Sequence, residues 1–86
     1  MTNKEFLECN KIKDGTVMLS DEFCDAIVGI DCSSDRLIYS YSLMIKALEN
    51  FDDIEYDDAV DYIEFNVIRS LPYIQNAPII MNDLGF

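Results

Sequence analysis

The sequence predicts an α+β domain: a small antiparallel sheet of two hairpins plus a C-terminal strand, with two helices packed on one face. Three observations predict it. Short apolar runs bounded by turn residues recur at 6–13, 16–19, 26–30, 36–41 and 78–81. Two longer stretches between them repeat apolar residues every three or four positions, the period of a helix face. Half of the 86 residues are apolar, which suits one core in a single domain over 1–86.

The first hairpin is expected over 6–13 and 16–19, because Asp14-Gly15 readily takes the positive φ angles of a tight turn. Ser20 and Asp21 suggest a turn or one helical turn. Residues 26–30 (AIVGI) form a continuous apolar run with β-branched members and read as a buried strand. "DCSSD" has the composition of a turn, and "RLIYSY" alternates after it, so these two runs pair as a second antiparallel hairpin.

A helix comes next, capped by Ser40 or Ser42, with Met44, Ala47, Leu48 and Phe51 on one face. A second helix starts near Glu55 or Tyr56. Asp57 and Asp58 lie in its first turn, where the helix dipole favours negative charge. It runs to about Leu71, since Pro72 lacks an N–H and disfavours helix in the residue before it. "QNAP" is a turn, and "PIIM" is a short last strand. That strand pairs with either the 26–30 or the 36–41 run.

Charge excludes several functions. The net charge is −11, so direct binding to a nucleic-acid backbone or an anionic membrane surface is disfavoured, and a basic protein partner is favoured. The plain alternative is that the charge only keeps a small protein soluble. No run approaches the roughly 20 apolar residues of a membrane span. "MTNKEFLECN" has no apolar stretch after its charges, so it does not read as a signal peptide. The expectation is a cytoplasmic protein with Cys9, Cys24 and Cys32 as buried free thiols.

Eight of the 17 acidic residues lie between Glu49 and Glu64, and no Lys or Arg falls between Lys46 and Arg69. Counted as an EF-hand loop from Asp53, acids fall at the first, third, fifth and twelfth places (Asp53, Glu55, Asp57, Glu64). The sixth place, which needs Gly for a sharp turn, holds Asp58. No metal and no cofactor is therefore expected. Catalysis is not expected either. With no His, the Ser-His and Cys-His arrangements are missing. The three glycines make no phosphate loop. The carboxylates lie on a polar face, where nothing raises a pKa for acid–base work.

At about 100° per residue the second helix has three faces. Tyr56, Ala59, Val60, Ile63, Val67 and Leu71 fall in the core arc. Asp57, Asp61 and Glu64 form an acidic ridge that points to water or to a cationic partner. Tyr62, Phe65 and Ile68 form a second apolar flank, continued by Pro72 and Tyr73. This flank either packs on the first helix or the chain ends, or it is an interface, with a partner or in a homodimer. Asn66, at the edge of the core face, is read as a structural amide tying the helix to a neighbouring loop, with a ligand contact as the alternative.

The stretches "DAIVGI", "RLIYSYSLMIKAL", "YDDAVDYIEFNVIRSLPY" and "APIIM" together resemble a group of small proteins encoded by phages and prophages of gut and soil bacteria. The matching positions are 26–30, Arg36, Tyr39, Met44, Ala59, Tyr62, Ile63, Phe65, Asn66, Pro72, Tyr73 and 78–80, within about 23–81. The resemblance transfers no catalytic residue. It implies a mobile-element origin and action in the bacterial cytoplasm.

Two functions are then in view. The first is a non-enzymatic interaction protein, including an inhibitor of a host defence or nucleic-acid-handling protein. In it Asp57, Asp61 and Glu64 meet Lys and Arg side chains, and Tyr62, Phe65 and Ile68 anchor the contact. The second is a structural or accessory phage protein, homodimeric or not, whose acidic face is only solvated.

Overall fold

A computed structural model describes residues 2–10, 12, 15–51 and 53–82. The chain is a small α+β fold built on a three-stranded sheet. The α+β class is as the sequence predicts, but the sheet is mixed rather than antiparallel, and no N-terminal hairpin forms among the described residues.

In place of that hairpin, Asn3–Asn10 forms an α-helix (α1), and 16–19 has no strand partner among the described residues. The cause is a capping box. Thr2 Oγ1 accepts the Glu5 N–H, and Glu5 Oε1 accepts both the N–H and the hydroxyl of Thr2. Asn3 fixes the helix to the segment around Leu19 and Asp21. Its N–H donates to Asp21 Oδ1 at 2.9 Å and its side-chain amide to the Leu19 carbonyl. Gly15 does turn with a positive φ of 84°, but the described residues on either side of it do not pair as strands. Asp14 lies outside the described residues.

A six-residue 3-10 helix, Asp21–Ala26, buries Phe23, Cys24 and Ala26. Strand β1 (Ile27–Ile30) comes next and pairs antiparallel with β2 (Leu37–Ser40), with a register irregularity between Ile27 and Gly29. This is the expected second hairpin. However, β1 is a half-exposed edge strand, not a buried one, because the strand order is β1-β2-β3. The turn between them is closed by Asp31, whose carboxylate accepts from the Ser33 hydroxyl and from both the N–H and the hydroxyl of Ser34.

β2 runs straight into α2 (Tyr41–Phe51), and Ser40 caps it: its hydroxyl accepts the Leu43 N–H at 3.3 Å. Met44, Ala47 and Leu48 are buried, as their spacing predicts, and Ile45 joins them. The side chain of Phe51 lies outside the described residues.

Helix α3 spans Tyr56–Asn66, shorter than expected. From Ile68 to Tyr73 the chain tightens into a 3-10 helix that contains Pro72. An α-helix reaching Pro72 would lose a hydrogen bond and clash with the preceding turn. Ser70 eases the change of pitch: its hydroxyl donates to the Val67 carbonyl at 2.7 Å. β3 (Ile79–Met81) then pairs with β2 in parallel, Ile38 opposite Ile79 and Ser40 opposite Met81. The two intervening helices let the chain return in the direction of β2, which a short turn could not do.

Leu37 and Tyr39 of β2, Met44 and Leu48 of α2, and Ala59 and Ile63 of α3 are fully buried in one cluster with Phe23. Tyr39 also holds the N-terminal segment, since its hydroxyl accepts the Leu19 N–H at 3.0 Å. Of the three cysteines only Cys24 is buried; Cys9 and Cys32 are exposed, which corrects the expectation of three buried thiols. No helix among the described residues is long and apolar enough to cross a membrane.

Candidate functional site

The site is the outer surface of α3 and the 3-10 helix after it. Core burial orients it. Ala59, Ile63 and Val67 point inward and are buried, while Val60 and Leu71 are half-buried. Tyr56, assigned to the core arc by its spacing, is instead 59% exposed. It sits in the first turn, beyond the reach of the core cluster, and lines a surface groove with Tyr41, Lys46 and Glu49.

With the core side fixed, the other two faces are set at about 100° per residue. Asp57, Asp61 and Glu64 are exposed and fall within an arc of about 60°. Asp58, Tyr62 and Phe65 make the next stripe round the helix. This stripe is uncovered: Tyr62 is 39% and Phe65 62% exposed, and Tyr73 beyond it is 89% exposed. Pro72 is exposed as well, and Ile68 is half-buried against the core cluster. Among the described residues no element of the chain covers Phe65 and Tyr73. Arg69 lies over the Phe65 ring, with its guanidinium carbon 5.2 Å from the centroid, a distance at which the positive charge meets the electron-rich face.

Asn66 does not tie α3 to a neighbouring loop. It is exposed, and its amide donates to the Tyr62 carbonyl one turn back in its own helix. The expected tie to a neighbouring loop is replaced by a bond within α3 itself.

On its other side the acidic ridge meets α2. The Tyr41 hydroxyl donates to Glu64 Oε1 at 3.1 Å. Burial, and then the Glu64 carboxylate beside it, hold that hydroxyl above the usual tyrosine range; Tyr56 and Asp61 add to the effect. Sequence reasoning misses Tyr41, which reads there as the end of a strand. The signal that could find it is its place between a capping serine and a helical run. Below Glu64 a groove of about 400 Å³ opens between the 3-10 helix and β3.

The calcium count from Asp53 fails on geometry: Asp57, Asp58, Asp61 and Glu64 all lie on a regular helix rather than a loop wrapped around an ion. Among the described residues no group of three or more Asp, Glu or Cys side chains is placed to hold a metal.

A separate polar cleft of about 250 Å³ lies at the β1–β2 turn. Gly15, Asp35 and Asn76, all with positive φ, line it together with Arg36. Arg36 donates to the Ser34 hydroxyl and to the Ala77 carbonyl at 3.3 Å. It thereby fastens the loop before β3 to the hairpin, a scaffold role.

No family model, no curated protein and no solved structure matches the chain, so the side chains themselves carry the functional reading.

Proposed function

We propose that the chain is a non-enzymatic, phage- or prophage-encoded interaction protein that binds a basic protein partner through the outer surface of α3 and the 3-10 helix after it. The observation that carries this is the uncovered aromatic stripe of Tyr62, Phe65 and Tyr73 beside the ridge of Asp57, Asp61 and Glu64. Exposed aromatics of this size are the usual anchors of protein interfaces. Carboxylates beside them speed encounter with a positive surface and reject negative ones. A host defence or nucleic-acid-handling protein fits that description, because its working surface is basic. The protein would inhibit it by covering that surface.

The test is a pull-down from bacterial lysate at low salt with the native chain and with a Phe65→Ala/Tyr73→Ala double variant. Enrichment of a basic protein by the native chain alone supports the proposal. Equal enrichment by both chains removes the stripe from it, and no enrichment of any basic protein at low salt removes the inhibitor reading.

The same exposure favours a second reading. In a structural or accessory phage protein, two copies would bury Phe65 and Tyr73 against each other, leaving the acids solvated. Light scattering on the purified chain separates the two: a monomer at high concentration rules out the homodimer.

A further inference from the structure

The groove below Glu64 has a specific chemical character. Three of its walls are apolar: Ile68 and Leu71 from the 3-10 helix, and Ile80 from β3. Its remaining lining comes from residues with polar groups: Tyr41, Glu64 and Asn82. Tyr41 occupies one carboxylate oxygen of Glu64, which leaves the other to accept. Asp61, one turn back on the ridge, adds its negative charge to the same corner, as its effect on the Tyr41 hydroxyl records. Lys46 lines the adjoining groove across Tyr41 together with the opposite charge of Glu49, and Arg69 is engaged over the Phe65 ring.

A groove that combines apolar walls with a carboxylate suits a long side chain that is greasy along its stem and cationic at its tip. Lysine and arginine both have that form. Arginine fits better, because its planar guanidinium is more weakly hydrated than an ammonium and tolerates apolar walls. Its five donors can also serve more than one acceptor at once, and Glu64 and Asn82 both line the groove.

We propose that the groove formed by Tyr41, Glu64, Ile68, Leu71, Ile80 and Asn82 is a socket for one arginine side chain of a protein partner. This rests on the docking surface proposed above and gives it a specific point of attachment. The aromatic stripe supplies contact area on one side of the acidic ridge. The socket, on the other side, selects a partner that presents an arginine at the right distance.

The test is a methyl and amide NMR titration of the full chain with blocked tripeptides, acetyl-Gly-X-Gly-amide, where X is arginine, lysine or citrulline. The arginine peptide is expected to give saturable shifts centred on Ile68, Leu71 and Ile80. Citrulline, which keeps the shape and loses the charge, is expected to bind about tenfold more weakly, as loss of one charge-assisted hydrogen bond implies. Glu64→Gln should weaken the arginine peptide by a similar factor, while Glu8→Gln, which neutralises an exposed carboxylate on α1, should leave it unchanged. Shifts spread over the whole acidic surface, citrulline equal to arginine, lysine equal to arginine, or an unaffected Glu64→Gln each overturn the socket. Because the peptides do not span the aromatic stripe, a silent titration beside a successful pull-down removes the socket and leaves the docking surface standing. The reverse pattern removes the partner.

Discussion

The Tyr41 hydroxyl donates to Glu64 Oε1 at 3.1 Å, joining the first turn of α2 to the last turn of α3 across 23 residues. The bond is near the surface, so it is worth about 0.5–1.5 kcal/mol at most. Tyr41→Phe should lower stability by no more than that in urea denaturation. It also has a signature in pH. The folded state holds the Tyr41 hydroxyl above its ordinary value of 10, through burial first and Glu64 second. The neutral phenol is therefore the favoured form, its contribution is complete below that pH, and it is lost as pH rises past it. Ultraviolet titration of tyrosinate should show two late-ionising residues, Tyr39 and Tyr41, of which only Tyr41 moves toward the ordinary range in Glu64→Gln. No change in that variant would mean the pair is not formed in solution.

Tyr39 presents a harder case for substitution. It is fully buried, and its hydroxyl is the acceptor for the Leu19 N–H. Tyr39→Phe keeps the ring and orphans that N–H, so the expected loss is about 1–3 kcal/mol. Amide exchange locates the effect. The Leu19 amide should lose protection far more than the amides of β2, because the bond ties down a segment that has no strand partner among the described residues. Uniform loss across the fold would show that the ring itself has shifted.

Asp31 gives the clearest acid-side expectation. Hydrogen bonds from the Ser34 and Ser33 hydroxyls and from the Ser34 N–H hold its carboxyl down to about 2, from 3.8. A depressed carboxyl favours the folded state above its unfolded value, and that contribution fades as pH falls from about 4 toward about 2. A carbon-detected titration of the Asp31 carboxyl should give a midpoint near 2, and Ser34→Ala should raise it. A midpoint in the ordinary aspartate range in the native chain would mean the turn is open.

The N-terminus separates what is legible in the sequence from what is not. The Thr2-x-x-Glu5 pattern is a helix-start signature, yet the alternation after Glu5 and the Asp14-Gly15 pair point to a hairpin. Local capping wins because the helix needs no distant partner; Phe6, Ile12, Met18 and Leu19 still pack partly buried against the core, but among the described residues they do so without strand pairing. By contrast the β1–β2 hairpin, a serine cap at Ser40 or Ser42 and the core positions Met44, Leu48, Ala59 and Ile63 are all readable, and the structure selects Ser40. Each is dictated by periodicity against one core. Two features are not readable. Parallel pairing of β3 is a property of the crossover, not of "PIIM". The Tyr41–Glu64 contact depends on how two helices cross, which no local pattern encodes. If capping decides the N-terminus, Thr2→Ala should cost about 0.5–2 kcal/mol of local stability and lower the protection of the first α1 amides. Unchanged protection there would leave the capping box without effect in solution.

The aromatic stripe yields the prediction that separates stability from function. Phe65 and Tyr73 contribute little to the core at their exposure, 62% and 89%. Surface substitutions of this kind usually change stability by less than about 0.5 kcal/mol. Phe65→Ala also removes the ring beneath Arg69, a surface contact worth about 0.5–1 kcal/mol, so it should be slightly the costlier of the two. If the stripe anchors a partner, truncating either ring should weaken binding by about 2 kcal/mol or more, roughly thirtyfold, far beyond its effect on folding. Neutralising Asp57 or Asp61 should behave differently: a smaller loss, carried mostly by slower association and shrinking as salt screens the ridge. Surface plasmon resonance with the captured partner reads both quantities. A stripe variant whose affinity falls only in step with its stability would mean that Phe65 and Tyr73 are exposed without being used.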